Sequence, residues 1–343
     1  MTLTYRARRR LHKLGVALGY TLLISAIIFV CWVVWLERFV VYTDDGATFV
    51  FDYVSPEGTA QVAQPPENPT VSIYYNEGDD FVNTSTELAQ LRGYYATTNR
   101  LIESVADVKT AISQLPEGSA VMLDLKSIYG NFYYSTGLPD APTTDQIDIT
   151  EVDSLIRTLT ATDLYVIARI PAFRDRAYGL ENTNYGLAVP AGYLWSGDDN
   201  CYWLNPVSNG ALSWLVAQAN ELRELGFDEV VFTDFRFPDT DKIIFNSSLT
   251  RQEALEAAAA TLVESCSTAR FAVSFETGNP DFKLPEGRTR MYLTDVEASQ
   301  AAQYSDRANV SDKAVNLVFL TTTNDTRFDP YGVMRPMPEA VRE

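Results

Sequence analysis

The chain has 343 residues, of which 45 are acidic and 27 basic, for a net charge of −18. A surface this acidic repels phosphate backbones, so no nucleic-acid partner is expected and neutral or cationic ligands fit better. The single histidine, His12, lies in the N-terminal tail, so the rest of the chain has no Ser-His-Asp or Cys-His catalysis and no usual His-bearing zinc site.

Residues 1–13 form a basic tail, with Arg6, Arg8, Arg9, Arg10 and Lys13 and no acidic residue. No charged residue occurs from Leu14 to Leu36. That run exceeds the roughly 20 apolar residues a helix needs to cross a bilayer core. Trp32 and Trp35 near its end suit the aromatic belt of a membrane interface. Positive charge ahead of the run places the N-terminus in the cytoplasm and the remainder outside. A cleaved signal peptide would carry a shorter apolar region, roughly 7–15 residues, and then a small-x-small site. Trp32-Val-Val-Trp-Leu-Glu-Arg-Phe39 follows instead. The reading is an uncleaved single-pass anchor at 14–36, with all later residues extracytoplasmic.

Residues 37–70 read as a stalk and linker. Ala47–Val54 has strand character, and residues 55–70 hold four prolines and little apolar content, the composition of an extended linker. A barrel domain is expected over 71–343.

From Leu91 onward strands and helices alternate. Arg92–Thr97 reads as the first strand, Val105–Leu115 as an amphipathic helix capped by Ser104, and Ala120–Leu125 as the second strand. Asn131–Ser135 reads as a small hairpin excursion. Glu151–Thr160 is a helix and Leu164–Ile170 the third strand. After a long loop, 173–205, Pro206–Leu225 is a helix and Glu229–Phe235 the fourth strand. Leu249–Ser265 is an Ala-rich helix, Phe271–Phe275 the fifth strand, and Met291–Thr294 the sixth. Val296–Tyr304 is helical and Val315–Leu320 is the seventh strand. Beyond it only Tyr331–Met334 has strand character, which leaves the last strand unassigned. Alternating βα units imply a parallel sheet. Seven or eight of them over about 250 residues predict a (β/α)8 TIM-like barrel, incomplete at the last strand. A doubly wound open sheet is the alternative, but it carries a glycine-rich turn after its first strand, where this chain has Ala96-Thr-Thr-Asn99.

The predicted strand tips are polar. They bring Asp124 and Lys126, then Arg169 with Asp175 just beyond, then Asp234 and Arg236, Glu276, and Asp295. In a barrel these tips meet at one mouth. Carboxylates among basic groups there can supply the acid and the nucleophile or base of glycoside hydrolysis. The long third loop adds Phe173, Tyr178, Tyr185, Tyr193, Trp195, Tyr202 and Trp203, which suit stacking on sugar rings. The same residues have plainer readings. Asp124 and Lys126 could pair with each other, Arg169 could be a structural bridge, and the loop aromatics could be the loop's own core. No metal spacing of the EF-hand type is present and no cofactor is expected. Cys201, in a loop after a strand, and Cys266, at a helix end, fall on opposite faces of a barrel and are expected to be unpaired.

Four blocks carry a family resemblance. They are Arg92-Gly-Tyr-Tyr95; Leu123-Asp-Leu-Lys-Ser-Ile-Tyr-Gly130 with Tyr133; Tyr165-Val-Ile-Ala-Arg-Ile-Pro-Ala-Phe-Arg-Asp175; and Trp203-Leu-Asn-Pro206 leading to Gly226-Phe-Asp-Glu229 and Arg236-Phe-Pro238. Over roughly 90–240 the chain resembles a glycoside hydrolase family of barrel domains related to the alpha-amylase class, long known as a domain of unknown function. The resemblance implies glycan as substrate or ligand. It also implies Glu276 as general acid. The strand tips and loop add Asp234 as nucleophile or stabiliser, and Asp124, Lys126, Arg169, Asp175, Trp203 and Arg236 as substrate-binding residues. One departure stands out. The family pattern Phe-Asp-Tyr-Ile puts its acid where this chain has Thr233, and the acid here is Asp234, the next residue. A one-residue shift on a strand turns a side chain to the other face. A catalytically inactive barrel that binds glycan or a protein partner at the cell surface is the second reading.

The anchor is testable. N-terminal sequencing of the membrane-extracted protein should begin within residues 1–13, and a mature terminus near residue 40 would contradict it.

Overall fold

The computed structural model describes residues 88–340, except 140 and 198, together with the backbone of two short strands near residue 45. The chain divides into two units, Met1–Asp80 and Phe81–Glu343. In the first, Val40–Thr43 pairs antiparallel with Gly46–Phe49. The 14–36 anchor and the 55–70 linker lie outside the described residues. Among the described residues no helix is long and apolar enough to cross a membrane.

The second unit is a closed parallel barrel of eight strands. In chain order these are β1 (Arg92–Ala96), β2 (Ala120–Asp124), β3 (Val166–Pro171), β4 (Glu229–Thr233), β5 (Ala272–Glu276), β6 (Met291–Leu293), β7 (Leu317–Leu320) and β8 (Gly332–Pro336). Between them run helices α1 (Thr98–Glu103), α2 (Val105–Ser113), α3 (Ile149–Thr160), α4 (Arg176–Glu181), α5 (Asn209–Glu224), α6 (Arg251–Cys266), α7 (Ala301–Arg307) and α8 (Lys313–Asn316).

Local chemistry sets the boundaries. Ser104 accepts a hydrogen bond from the Asp107 amide and caps α2, and Asp148 does the same for α3 through Glu151. Thr250 and Glu253 cap α6 reciprocally, which satisfies two otherwise orphaned amides. Gly226, at φ +92°, turns the chain out of α5 toward β4, a conformation that costs glycine nothing. Gly93 is fixed by packing, because a Cβ there would stand 2.2 Å from the Ala120 carbonyl oxygen.

The expected gap at the last strand is not present. Val333 to Pro336 pair with Arg92 to Tyr95, and Gly332 to Met334 pair with Val318 to Leu320, so β8 closes the barrel. Its sequence hides it. It is short, begins with glycine and ends with proline, which a strand tolerates only at its ends or edges. The connection before it holds a 3-10 turn, Thr326–Phe328, and no α-helix. Phe328 covers the barrel there instead, 5.2 Å from the Phe319 ring.

The barrel interior is layered. At the N-terminal end Glu229 accepts hydrogen bonds from Tyr165 and Tyr292, each at 2.9 Å, and pairs with Arg290. Arg290 also donates to the backbone carbonyls of Ala89 and Val315. Burial, helped by the Glu229 charge, raises the Tyr292 hydroxyl well above its ordinary pKa. Above this layer lie Met122, Ile167, Val231, Val318 and Met334, all fully buried. The inward positions next along the strands form the mouth.

Cys201 and Cys266 are free and buried. Burial pushes the Cys266 thiol from near 9 up to about 11. A raised folded-state value stabilises the fold below pH about 9, and that contribution is lost as pH rises toward 11. Iodoacetamide at pH 8 should therefore leave both cysteines unlabelled in the native protein and label both after denaturation, read by peptide mapping. Recovery of a peptide joining Cys201 to Cys266 would contradict the arrangement.

Candidate active site

Arg169 is the centre of the mouth. It projects from β3 into the barrel, where the pairing sets it beside Asp124 of β2. Its Nη1 donates to Asp124 Oδ1 at 2.9 Å. Its other edge donates to both oxygens of Glu276 on β5, Nε to Oε2 at 2.8 Å and Nη2 to Oε1 at 3.2 Å. Burial opposes the Arg169 charge, but Asp124 and Glu276 more than offset it and its pKa rises. Asp124 also accepts from the Thr98 amide, at the start of α1, at 3.1 Å. The Arg169–Glu276 contact is charge-assisted and two-pronged, the geometry in which a guanidinium holds a carboxylate best, and the Asp124 contact is a single bond. Both oxygens of Glu276 are acceptors here, and neither donates a proton.

A cavity of about 500 Å³ opens beside this cluster. Thr233 and Asp234 both line it, with Asp124, Arg169, Tyr129 and Tyr133. Thr233 shares the inward parity of Val231 on β4. Asp234 follows it and would face away, but its backbone turns to φ +47°. That left-handed conformation is rare outside glycine, and aspartate tolerates it better than most residues. The strand end is thus irregular, and the displaced acid still borders the cavity. Asp234 lies 3.6 Å from Arg174 and 3.6 Å from Arg236.

Three substrate-binding expectations need correction. Lys126 lines the cavity, but its charge is turned inward onto Asp175, which does not line it. Lys126 Nζ donates to Asp175 at 2.6 Å and to Gln218 at 2.8 Å, and the two charged side chains are 0% and 1% exposed. Asp175 also accepts from Trp214 Nε1 and caps α4 through the Tyr178 amide. Burial lowers the Lys126 pKa against the pull of Asp175. The pair is a lock behind the mouth. Nor does Asp124 pair with Lys126; the strand ends between them. Trp203 is buried, and its ring is covered by the guanidinium of Arg236 at 4.9 Å and that of Arg174 at 5.7 Å. Arg236 is half exposed at the rim.

The loop aromatics pack largely against the neighbouring helix and strand end. Tyr178 stacks on Trp214 at 4.4 Å, and Phe173 packs on Phe235 at 4.9 Å. Tyr193 alone of the seven is strongly exposed. Sequence reasoning missed Tyr95, Tyr133 and Arg174. Burial raises the Tyr95 hydroxyl, and it feels the charges of Arg169, Asp124, Asp295 and Glu276. Tyr95 and Arg174 stand inside quoted motif blocks, and the inward parity of β1 was the available signal for Tyr95. Among the described residues no group of three or more His, Cys, Asp or Glu side chains is placed to hold a metal ion.

The buried lock makes a prediction. Lys126→Ala leaves Asp175 charged and unpaired in the interior, which costs about 3–5 kcal/mol. Urea unfolding should show that loss, and a change under about 1 kcal/mol, the range of an exposed pair, would contradict the assignment.

Residues 93–274 match a family model described as "Putative glycosyl hydrolase domain", farther than the four blocks reach. Among solved structures, a hypothetical protein from Ruminiclostridium thermocellum is 22% identical over 53% of this chain and 96% of that one, with a TM-score of 0.44. An inactive variant of a GH20 exo-β-N-acetylglucosaminidase from Vibrio harveyi is 11% identical over 73% of this chain and 50% of that one, TM-score 0.52. A cycloisomaltooligosaccharide glucanotransferase from Paenibacillus sp., complexed with cycloisomaltoheptaose, is 13% identical over 68% of this chain and 38% of that one, TM-score 0.53. The chain spans half or less of the length of these two enzymes, and at such identities the likeness is one of fold. No curated protein matches the chain significantly. The family model covers more than half of the chain, and the protein belongs to the glycosyl hydrolase domain family that it describes.

Proposed function

We propose that this protein is a membrane-anchored, extracytoplasmic glycoside hydrolase that acts on a polysaccharide or cell-wall glycan at the barrel mouth. The observation that carries the reading is the pairing of two carboxylates, Asp124 and Glu276, with the guanidinium of Arg169, beside a cavity that Asp234 also lines. Two-carboxylate hydrolysis needs one group to protonate the leaving oxygen and another to attack or to stabilise the oxocarbenium ion. Asp234, beside two arginines and bordering the cavity, takes the second role. Glu276 takes the first, and this requires Arg169 to release it and a proton to be taken up from solvent, since both its oxygens accept from Arg169 in the free protein. Arg169 keeps Asp124 as partner when it does so. A sugar hydroxyl entering the cavity supplies the competing hydrogen bonds. Sequence supports the anchor, through the uncharged run from Leu14 to Leu36.

One observation favours a second reading, a glycan-binding barrel without turnover. Thr233, at the family's acid position, faces the cavity with no charge.

Reducing-sugar release from a panel of polysaccharides separates the two. On the first reading wild type releases sugar, and Asp234→Asn lowers kcat at least about 100-fold, the scale of a lost catalytic group, while glycan binding persists. Equal turnover by wild type and Asp234→Asn would end the assignment of Asp234. If wild type is inert but binds glycan, and Thr233→Asp gains turnover, the second reading holds.

A further inference from the structure

The mouth contains a second cavity, of about 630 Å³, on the far side of Arg169. Tyr95, Thr294, Asp295, Glu297, Thr322 and Asp325 line it. Each cavity alone falls within the roughly 300–1,000 Å³ of a small-ligand site. Arg169 borders both, so its guanidinium is the shared wall. A site that trims chain ends closes behind the terminal ring. Here open space lies on both sides of the central charge.

The backbone repeats the pattern. Among the described residues three that are not glycine have positive φ, and two of them stand at strand ends facing this mouth. Asp234, at φ +47°, follows β4 and borders the first cavity, and Asp295, at φ +57°, follows β6 and borders the second. Such conformations cost of order 1–3 kcal/mol and gather at ligand sites. The second cavity is polar, with threonines and acids that can hydrogen-bond to hydroxyls, and Tyr95 places an aromatic ring beside Arg169.

We propose that the two cavities are lobes of one cleft that holds a glycan chain lengthwise across Arg169, so that the protein engages internal units of a polymer rather than chain ends. This rests on the glycan reading above. It assigns Tyr95, Asp295 and Glu297 to the second half of the cleft, where only Tyr95 and Arg169 belong to the four sequence blocks.

The test uses the full-length chain in detergent and a glycan array running from monosaccharides to octasaccharides of neutral, amino and uronic sugars, followed by titration of the best length series. Two exposed positions allow each lobe to be filled separately, Asn99→Trp in the first and Thr322→Trp in the second. Affinity should rise with chain length beyond the disaccharide. Each variant should weaken the long chains by about tenfold or more, a loss of about 1.4 kcal/mol. Mono- and disaccharides that bind as well as long chains, or long chains indifferent to Thr322→Trp, would overturn the two-lobed cleft and leave the glycan reading standing. No binding to any glycan on the array would remove both.

Discussion

A guanidinium partly withdrawn from water at the end of a barrel needs partners, because desolvating an unpaired charge is costly. Arg169 meets this constraint with two carboxylates from strands that do not neighbour each other, Asp124 on β2 and Glu276 on β5. The barrel brings them to one arginine because all three occupy the same inward layer at the C-terminal end. The interaction ties opposite sides of the mouth together. It also engages both oxygens of Glu276 in the free protein.

The same logic is repeated at the other end. Glu229 and Arg290 pair inside the barrel, with Tyr165 and Tyr292 filling the remaining hydrogen bonds. Between the two charged layers lies an apolar one. A cavity borders the lower layer through Tyr165 and Arg290, and two border the upper triad through Arg169. The proposed site is the upper one, at the end where parallel barrels place their sites. The buried Lys126–Asp175 pair then fixes the loop that follows β3, and through it Arg174, which reaches Asp234.

Much of the fold was legible from apolar runs. Strands buried on both faces are continuous runs of Val, Ile, Leu and Phe, as in Val230-Val-Phe232 and Ala272-Val-Ser-Phe275, and seven were readable on that ground. β8 was not, because Gly332 and Pro336 bound only two apolar residues, Val333 and Met334, and no α-helix lies between β7 and β8. The site was partly legible. Asp124, Arg169 and Glu276 lie at strand tips, and parity alone sends them inward. Lys126 and Asp175 looked the same in sequence, but they sit past the strand ends, where loop packing decides direction. Trp203 looked like a sugar platform, and only the coordinates show two arginines over its ring. Asp234 depended on one backbone angle that strand periodicity cannot express.

The central claim is that the mouth around Arg169 is the place where glycan binds. A crystal structure of the protein with a bound oligosaccharide tests it most directly. The account predicts sugar density on both sides of Arg169, with the Arg169–Glu276 hydrogen bonds broken and the Arg169–Asp124 bond kept. Sugar seated on exposed Tyr193 or at the N-terminal end of the barrel, with the Asp124–Arg169–Glu276 bridge intact and the mouth empty, would contradict it.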